Sequence, residues 1–272
     1  MYKIFDIHTH TYPEAIAEKA VTALGRFYNF TPEGKGTYAE LEQAGAQAQV
    51  CGFLLFSVAT NAHQVAKVND CIADQVALSR ANGFDTVGFA GMHQDFPDFE
   101  GEVLRARELG LRGVKLHPDI QAINIDDPRL MPLYAILERE KLPLYMHMGD
   151  NRLEYRFSTA RRLRNVLERY PELVVVAAHL GGYQAWMDAP ALAKYPRVWF
   201  DTSSVLWATT PGFASDLIHT LGTDRVMFGT DYPVKLYESE LARFFALDLT
   251  KAERTAILYD NAARFLGLGS AN

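Results

Sequence analysis

The sequence predicts an α/β protein of the (β/α)8 TIM-barrel type, and three observations carry that expectation. Short apolar runs alternate with amphipathic stretches eight times along the 272 residues, the pattern of repeated strand–helix units. Chemistry-bearing side chains gather where those runs end: Asp6-Ile7-His8-Thr9-His10 ends the first, and Gly229-Thr230-Asp231-Tyr232-Pro233 the last. Such a set meets at one point only if the first and last strands are neighbours. An open doubly wound sheet holds them apart; a closed ring brings them together.

The elements follow in order. The first strand is read at 3–10, where His8 and His10 leave an extended chain on the same side. About forty residues then precede the second strand, more than a helical crossover needs. The excess includes residues 26–36, expected as a loop whose Phe27, Tyr28 and Phe30 lie over the barrel mouth. A helix over 37–48 leads into a strand at 50–59, and a helix over 61–82 into a strand at 85–92. Asp98 is the expected N-cap of a helix at 98–110. The strand at 112–117 carries Lys115 and His117 at the same parity, and Pro128 opens a helix at 128–140. The strand at 142–148 ends in His147, and Ser158 is the expected cap of a helix that stops before Pro171. The strand at 173–179 ends in His179 and leads to a helical stretch at 183–194. Strands at 198–203 and 225–231 then alternate with helices at 210–222 and 238–247. An extra C-terminal helix, 250–266, sets Leu258, Phe265 and Leu266 against the outside or floor of the barrel.

Bulk properties narrow the possibilities. A length of 272 residues suits one domain spanning 1–272. A hydrophobic fraction of 49% and a charged fraction of 22% are those of an ordinary globular enzyme. The net charge of −6 argues against nucleic acid or an anionic membrane as partner. Cys51 and Cys71 are the only cysteines and are expected to be buried, reduced thiols. No basic-then-apolar leader and no run approaching 18 apolar residues is present, so the expected location is the cytoplasm. The expected partner is a small molecule, with the chain acting as a monomer or a homodimer.

Imidazoles from several strand ends and a carboxylate from the last form a metal-binding constellation. Such a set suits zinc first, with manganese or iron as alternatives. An ion with an open position lowers the pKa of a bound water to roughly 7 and so supplies hydroxide at neutral pH.

The segments DIHTH (6–10), GVKLHP (113–118), YMHMGD (145–150), AAHLGG (177–182) and GTDYP (229–233) run from the first strand to the eighth. In them the chain resembles the amidohydrolase superfamily, within it the amidohydrolase-related branch that contains aminocarboxymuconate semialdehyde decarboxylase. The resemblance implies a distorted TIM barrel with a divalent metal at its mouth. It implies His8, His10, His147 and Asp231 as metal ligands, with Asp231 and the nearby His179 as the catalytic pair. Asp231 would accept the proton of the metal-bound water, and His179 would steady developing negative charge. Asp6, at the parity of His8, is a candidate to orient a ligand imidazole. Superfamily resemblance also offers a carbamylated Lys115 bridging two ions, but one ion is favoured because this branch is usually mononuclear.

Lys115, His117, Arg152 and Arg156 are candidate substrate contacts, the two arginines reaching an anion through bidentate forks. The expected reaction is metal-dependent hydrolysis of a small, carboxylate-bearing amide, lactone or ester. Non-oxidative decarboxylation on the same mononuclear site is the alternative. A metal nuclease would want a glutamate where this chain has Lys115, and a non-catalytic relic would lack a ligand.

Overall fold

The computed structural model describes residues 2–269. Eight strand positions run parallel in chain order. They are β1 (Ile4–His10), β2 (Val50–Phe56), β3 with β4 (Val87–Gly88, Ala90–Gly91), β5 (Val114–Leu116), β6 (Leu144–Met146), β7 (Val175–Ala177), β8 (Val198–Asp201) and β9 (Val226–Met227). Each lies within a few residues of its sequence expectation. The third position is two short segments because pairing changes side at Phe89: its N–H bonds Leu55 O at 2.9 Å, while Ala90 N–H bonds Gly113 O at 2.8 Å.

Regular pairing forms two arcs rather than one continuous ladder, β1-β2-β3 and β4 through β9. The ends of the chain's strand series meet at a seam. Ile7 N–H donates to Phe228 O at 2.9 Å and His10 N–H to Tyr232 O at 2.7 Å, with one parallel bridge between Thr9 and Tyr232. Asp6 ties that seam from within, accepting from Thr230 N–H (3.1 Å), the Thr230 hydroxyl (2.6 Å) and His8 N–H (3.1 Å). Asp6 therefore does not orient an imidazole. The β1–β2 register slips between Asp6 and Thr9, which breaks the parity that would set the carboxylate beside the His8 ring.

Helices cover the outside: α1 (Glu14–Tyr28), α2 (Tyr38–Gln47), α3 (Val65–Ala81), α4 (Phe99–Glu108), α5 (Pro118–Gln121), α6 (Met131–Glu140), α7 (Ala160–Arg169), α8 (Pro211–Leu221) and α9 (Tyr237–Phe245). Asp98 caps α4 as expected, but Thr159 rather than Ser158 caps α7. Ser158 instead donates to Asp119 at 2.7 Å. The stretch read as helical at 183–194 is 3-10 over Trp186–Leu192, consistent with Pro190 inside it, which cannot donate to an α ladder.

The larger difference is α1. The excess after β1 is mostly a fifteen-residue helix, not a loop. Glu, Ala, Lys and Leu dominate it, all strong helix formers, and Ala17, Ala20, Leu24 and Tyr28 recur at helical spacing along it. Asn29, in the left-handed region at φ 56°, ends it.

Inside the ring, Phe5, Ile7, Leu54, Phe89, Val176 and Met227 pack into one apolar plug. The C-terminal segment joins that plug through Ala262 and Leu266. It runs as α10 (Lys251–Thr255), a π-helical turn (Ala256–Asp260) and α11 (Asn261–Leu266). The Asn261 amide donates to Val226 O at 2.7 Å, fixing this segment at the N-terminal end of β9. One end of the barrel is thereby stopped, and the site lies at the other. No described helix is long and apolar enough to cross a membrane.

Replacing Asp6 by alanine removes the only carboxylate on three buried donors at the seam. The expected loss is about 3 kcal/mol or more, at roughly 1–3 kcal/mol for each donor left unsatisfied. Urea unfolding measures it. A loss below about 0.5 kcal/mol, the size of an ordinary surface change, would mean that this carboxylate does not hold the seam.

Candidate metal centre

The strand ends converge on one floor. The Nε2 atoms of His8 and His10 lie 3.2 Å apart, and Asp231 Oδ1 stands 3.1 Å and 3.6 Å from them. Lys115 brings its ammonium to 3.4 Å from His8 Nε2. His147 Nδ1 and His179 Nε2 meet at 2.9 Å, and the His179 ring stacks on that of His8 with centroids 5.1 Å apart. All of these side chains are buried.

The outer nitrogens of His8, His147 and His179 are already committed, which fixes what their inner ones offer, whereas His10 Nδ1 has no hydrogen-bond partner among the described residues. Asp201 accepts the hydroxyl protons of Tyr145 and Ser203. The Ser203 oxygen, with its proton spent, can then only accept from His8 Nδ1 at 2.8 Å and His179 Nδ1 at 2.9 Å. Asp201 lies 3.2 Å from His8 Nδ1, and the Ser203 carbonyl 2.9 Å from His179 Nδ1. On the far side, His147 Nε2 donates toward Gly149 O and Asp119, each at 3.1 Å. His8 Nε2, His179 Nε2 and His147 Nδ1 are therefore lone pairs pointing inward beside the Asp231 carboxylate.

Burial, with neighbouring positive groups, pushes the pKa values of His10 and His147 well below the usual histidine range. Burial lowers His179 too, although Asp231 and Asp201 oppose it. Burial alone would raise the two carboxyls, but His8 and His179 outweigh it and hold both Asp201 and Asp231 below the ordinary range. Inward nitrogens of His8, His147 and His179 thus face one another beside the Asp231 carboxylate. A cation placed among them would satisfy these acceptors together. Imidazole nitrogens with one carboxylate oxygen are the donor set of a divalent transition metal, so the residues fit such an ion.

Lys115 supplies part of the missing charge. Its ammonium sits 4.6 Å from the Phe56 ring centroid and 4.7 Å from that of Tyr145, a setting that suits a cation. Burial lowers its pKa to about 8, with Asp231 and Asp201 pulling the other way.

Backbone geometry explains the motif glycines and the aim of the side chains. A Cβ on Gly229 would lie 2.8 Å from His8 Cβ, so only glycine lets the last strand end pass the first. Gly149 has φ +82° and its Cβ position is filled by the Gly182 backbone, which locks the loop after His147 onto the loop after His179. His179, Ser204 and Asp231 are themselves in the left-handed region, at φ 59°, 53° and 60°. Such strain gathers where side chains must be aimed against the run of the chain.

Two tight groups of ligand-type atoms occur among the described residues, His8–His179–Asp231 and His117–Asp119–His147. His179 thus lies with His8 and Asp231, and His147 joins them through its contact with His179. The second group is a poor chelate. The His117 and His147 rings stack 3.9 Å apart at 12°, so their in-plane lone pairs cannot aim at one ion. His117 Nε2 instead faces the Tyr28 hydroxyl at 3.1 Å, and the same hydroxyl lies 3.2 Å from His147 Nε2. Burial pushes Asp119 up to about 7.

The two arginines do not reach the cavity. Arg152 forks onto its own Asp150 (2.6 Å at closest) and donates to Phe27 O at 2.6 Å, while Arg156 is exposed and outside the lining. Local pairing along the loop wins because Asp150 is two residues away and buried. Asp201, Tyr145 and Asp119 went unread in the sequence. Asp201 carried the available signal, a carboxylate at a strand end two residues before Ser203.

Comparison with known proteins places these features in a family. The amidohydrolase family model matches residues 56–268. A gamma-resorcylate decarboxylase of Rhodococcus jostii (strain RHA1) is 27% identical over 252 residues, covering 74% of this chain and 76% of the relative. The structure of an uncharacterised TIM-barrel protein from Bordetella bronchiseptica superposes with a TM-score of 0.76 at 22% identity, covering 97% of this chain and 98% of that one. A dihydroxybenzoic acid decarboxylase from Polaromonas sp. JS666, solved with bound manganese and the inhibitor 2-nitroresorcinol, superposes at 0.73 with 18% identity, over 100% of this chain and 98% of that one. The fold is that of a TIM barrel, and with more than three quarters of its length matched the chain belongs to the amidohydrolase family.

Proposed function

We propose that the chain is a metal-dependent decarboxylase that releases carbon dioxide from a small, single-ring carboxylic acid. The observation that carries this reading is the proton-poor cluster of inward lone pairs beneath a small apolar cavity. The decarboxylase named among the relatives favours it over the hydrolysis expected first from the motifs. His8, His10, His147 and Asp231 would hold one ion, manganese or zinc, whose charge when bound would anchor and orient the substrate carboxylate. One ion suffices because Lys115, set on two aromatic rings, is suited to stay an ammonium rather than become an anionic bridge.

Decarboxylation breaks the bond between the ring carbon and the carboxylate carbon. The bonding electrons stay on the ring carbon, which must take up a proton as carbon dioxide departs. His179 is placed to hold that proton at Nε2, because its Nδ1 is pinned to Ser203 and its backbone carbonyl to the Trp186 indole at 2.9 Å. Asp231, kept ionised by His8 and His179, serves as an anchoring anion rather than an acid. The Ser204 hydroxyl, donating to its other oxygen, fixes its orientation. Lys115 adds positive charge beneath the carboxylate, and Tyr28 and His117 hold the cavity wall beside it.

Carbon dioxide release from a panel of hydroxybenzoic acids, against hydrolysis of their amides and lactones, tests the reaction. Expected is metal-dependent carbon dioxide release, lost on treatment with chelator. Hydrolysis without carbon dioxide release would restore the hydrolase reading.

Replacing His179 by asparagine should lower turnover about 10²-fold or more, the size of a lost general acid, with metal content unchanged. His8→Ala and Asp231→Ala should lose metal and turnover together. Loss of metal from the His179 variant would make His179 a ligand and reassign His147.

A further inference from the structure

The cavity above the floor measures about 260 Å³, under the roughly 300–1,000 Å³ typical of drug-sized sites. Helix α1 roofs it through Leu24, Phe27 and Tyr28, while Val58, Ile120 and Val234 stand around the sides. No arginine or lysine lines it. Arg152, behind the Phe27 and Tyr28 rings, is held by Asp150 and by the Phe27 carbonyl, with its guanidinium stacked 4.1 Å from the Tyr155 ring centroid. Carboxylates also stand near the Tyr28 side of the wall, with Arg152 5.5 Å from that ring's centroid. Asp119, Asp150 and Asp231 all oppose ionisation of that phenol, secondary to its burial. Because Arg152 is already paired with Asp150, uncompensated positive charge at the cavity lies at the floor, at Lys115 and at the ion proposed above it.

We propose that this charge distribution selects acids carrying a single carboxylate and rejects diacids. The inference rests on the reading that the floor receives a substrate carboxylate, and it adds which members of that class enter. One carboxylate on the floor meets cations. A second, fixed across the same ring, would be pressed against Leu24, Phe27 or Ile120 with no unpaired cation to face. Burying an anion without a partner is among the costliest events in a protein interior. A neutral substituent of the same size meets no such penalty.

Calorimetric binding to the metal-loaded protein tests this independently of turnover. The probes are benzoate, isophthalate and monomethyl isophthalate, the last matching the diacid in shape with one charge removed. The diacid should bind about 100-fold more weakly than benzoate, with the monoester recovering to within about tenfold of it. Leu24→Arg, which sets a guanidinium in the roof, should strengthen diacid binding about tenfold or more. Diacid affinity equal to that of benzoate overturns the proposal, and so does equal rejection of the monoester, which would make size the filter. Binding of benzoate and monoester without carbon dioxide release from any acid would leave charge selection standing and remove the decarboxylase reading. Failure of benzoate itself to bind removes both.

Discussion

The contact between His147 Nδ1 and His179 Nε2, at 2.9 Å, sets the terms for everything around it. Hydrogen bonds to Gly149 O and to Ser203 turn each ring so that a bare lone pair faces the other. Two acceptors that close repel unless a proton or a metal ion lies between or beside them. His8 Nε2 likewise faces the Asp231 carboxylate, with the Lys115 ammonium 3.4 Å away. A buried polar cluster of this kind costs several kcal/mol if left unsatisfied. A resident cation would satisfy it. The groups that spend the outer nitrogens (Asp201, Ser203 and the Gly149 carbonyl) matter as much as the ligands, because they leave each imidazole a lone pair to give.

The barrel exists in a form that serves this cluster. Its regular pairing is interrupted where first and last strands meet, and there Asp6 and Thr230 replace ladder bonds with side-chain bonds. That arrangement frees the ends of β1 and of the last strand to turn their polar residues inward. Gly229 lets the two ends pass at contact distance, and Gly149 locks two histidine-bearing loops together. Left-handed backbone at His179, Ser204 and Asp231 completes the convergence. The strain of these positions is offset by the apolar plug beneath them, where Phe5, Ile7, Phe89 and Met227 are fully buried.

Much of this was legible in the sequence because it is periodic or local. All eight strand positions follow from apolar runs, and His8, His10, His147, His179 and Asp231 were readable as one constellation because each ends such a run. What was illegible depends on contacts across the chain. Asp201 acts on His8 from 193 residues away, and nothing in a single strand marks that pairing. The parity rule failed at Asp6 because the β1 register slips there. Helix α1 was overlooked although its spacing was regular, because a long connection invites a loop reading. The sequence leaves Arg152 a choice between a substrate anion and its own Asp150, and in the fold Asp150 takes it.

Anomalous diffraction from crystals of the metal-loaded protein tests the central claim most directly. The account predicts one ion per chain, in contact with His8, His10, His147 and Asp231, with His179 next to it and unligated. An ion seated between His117 and Asp119, or a floor that takes up no ion while His147 and His179 share a proton, would contradict it.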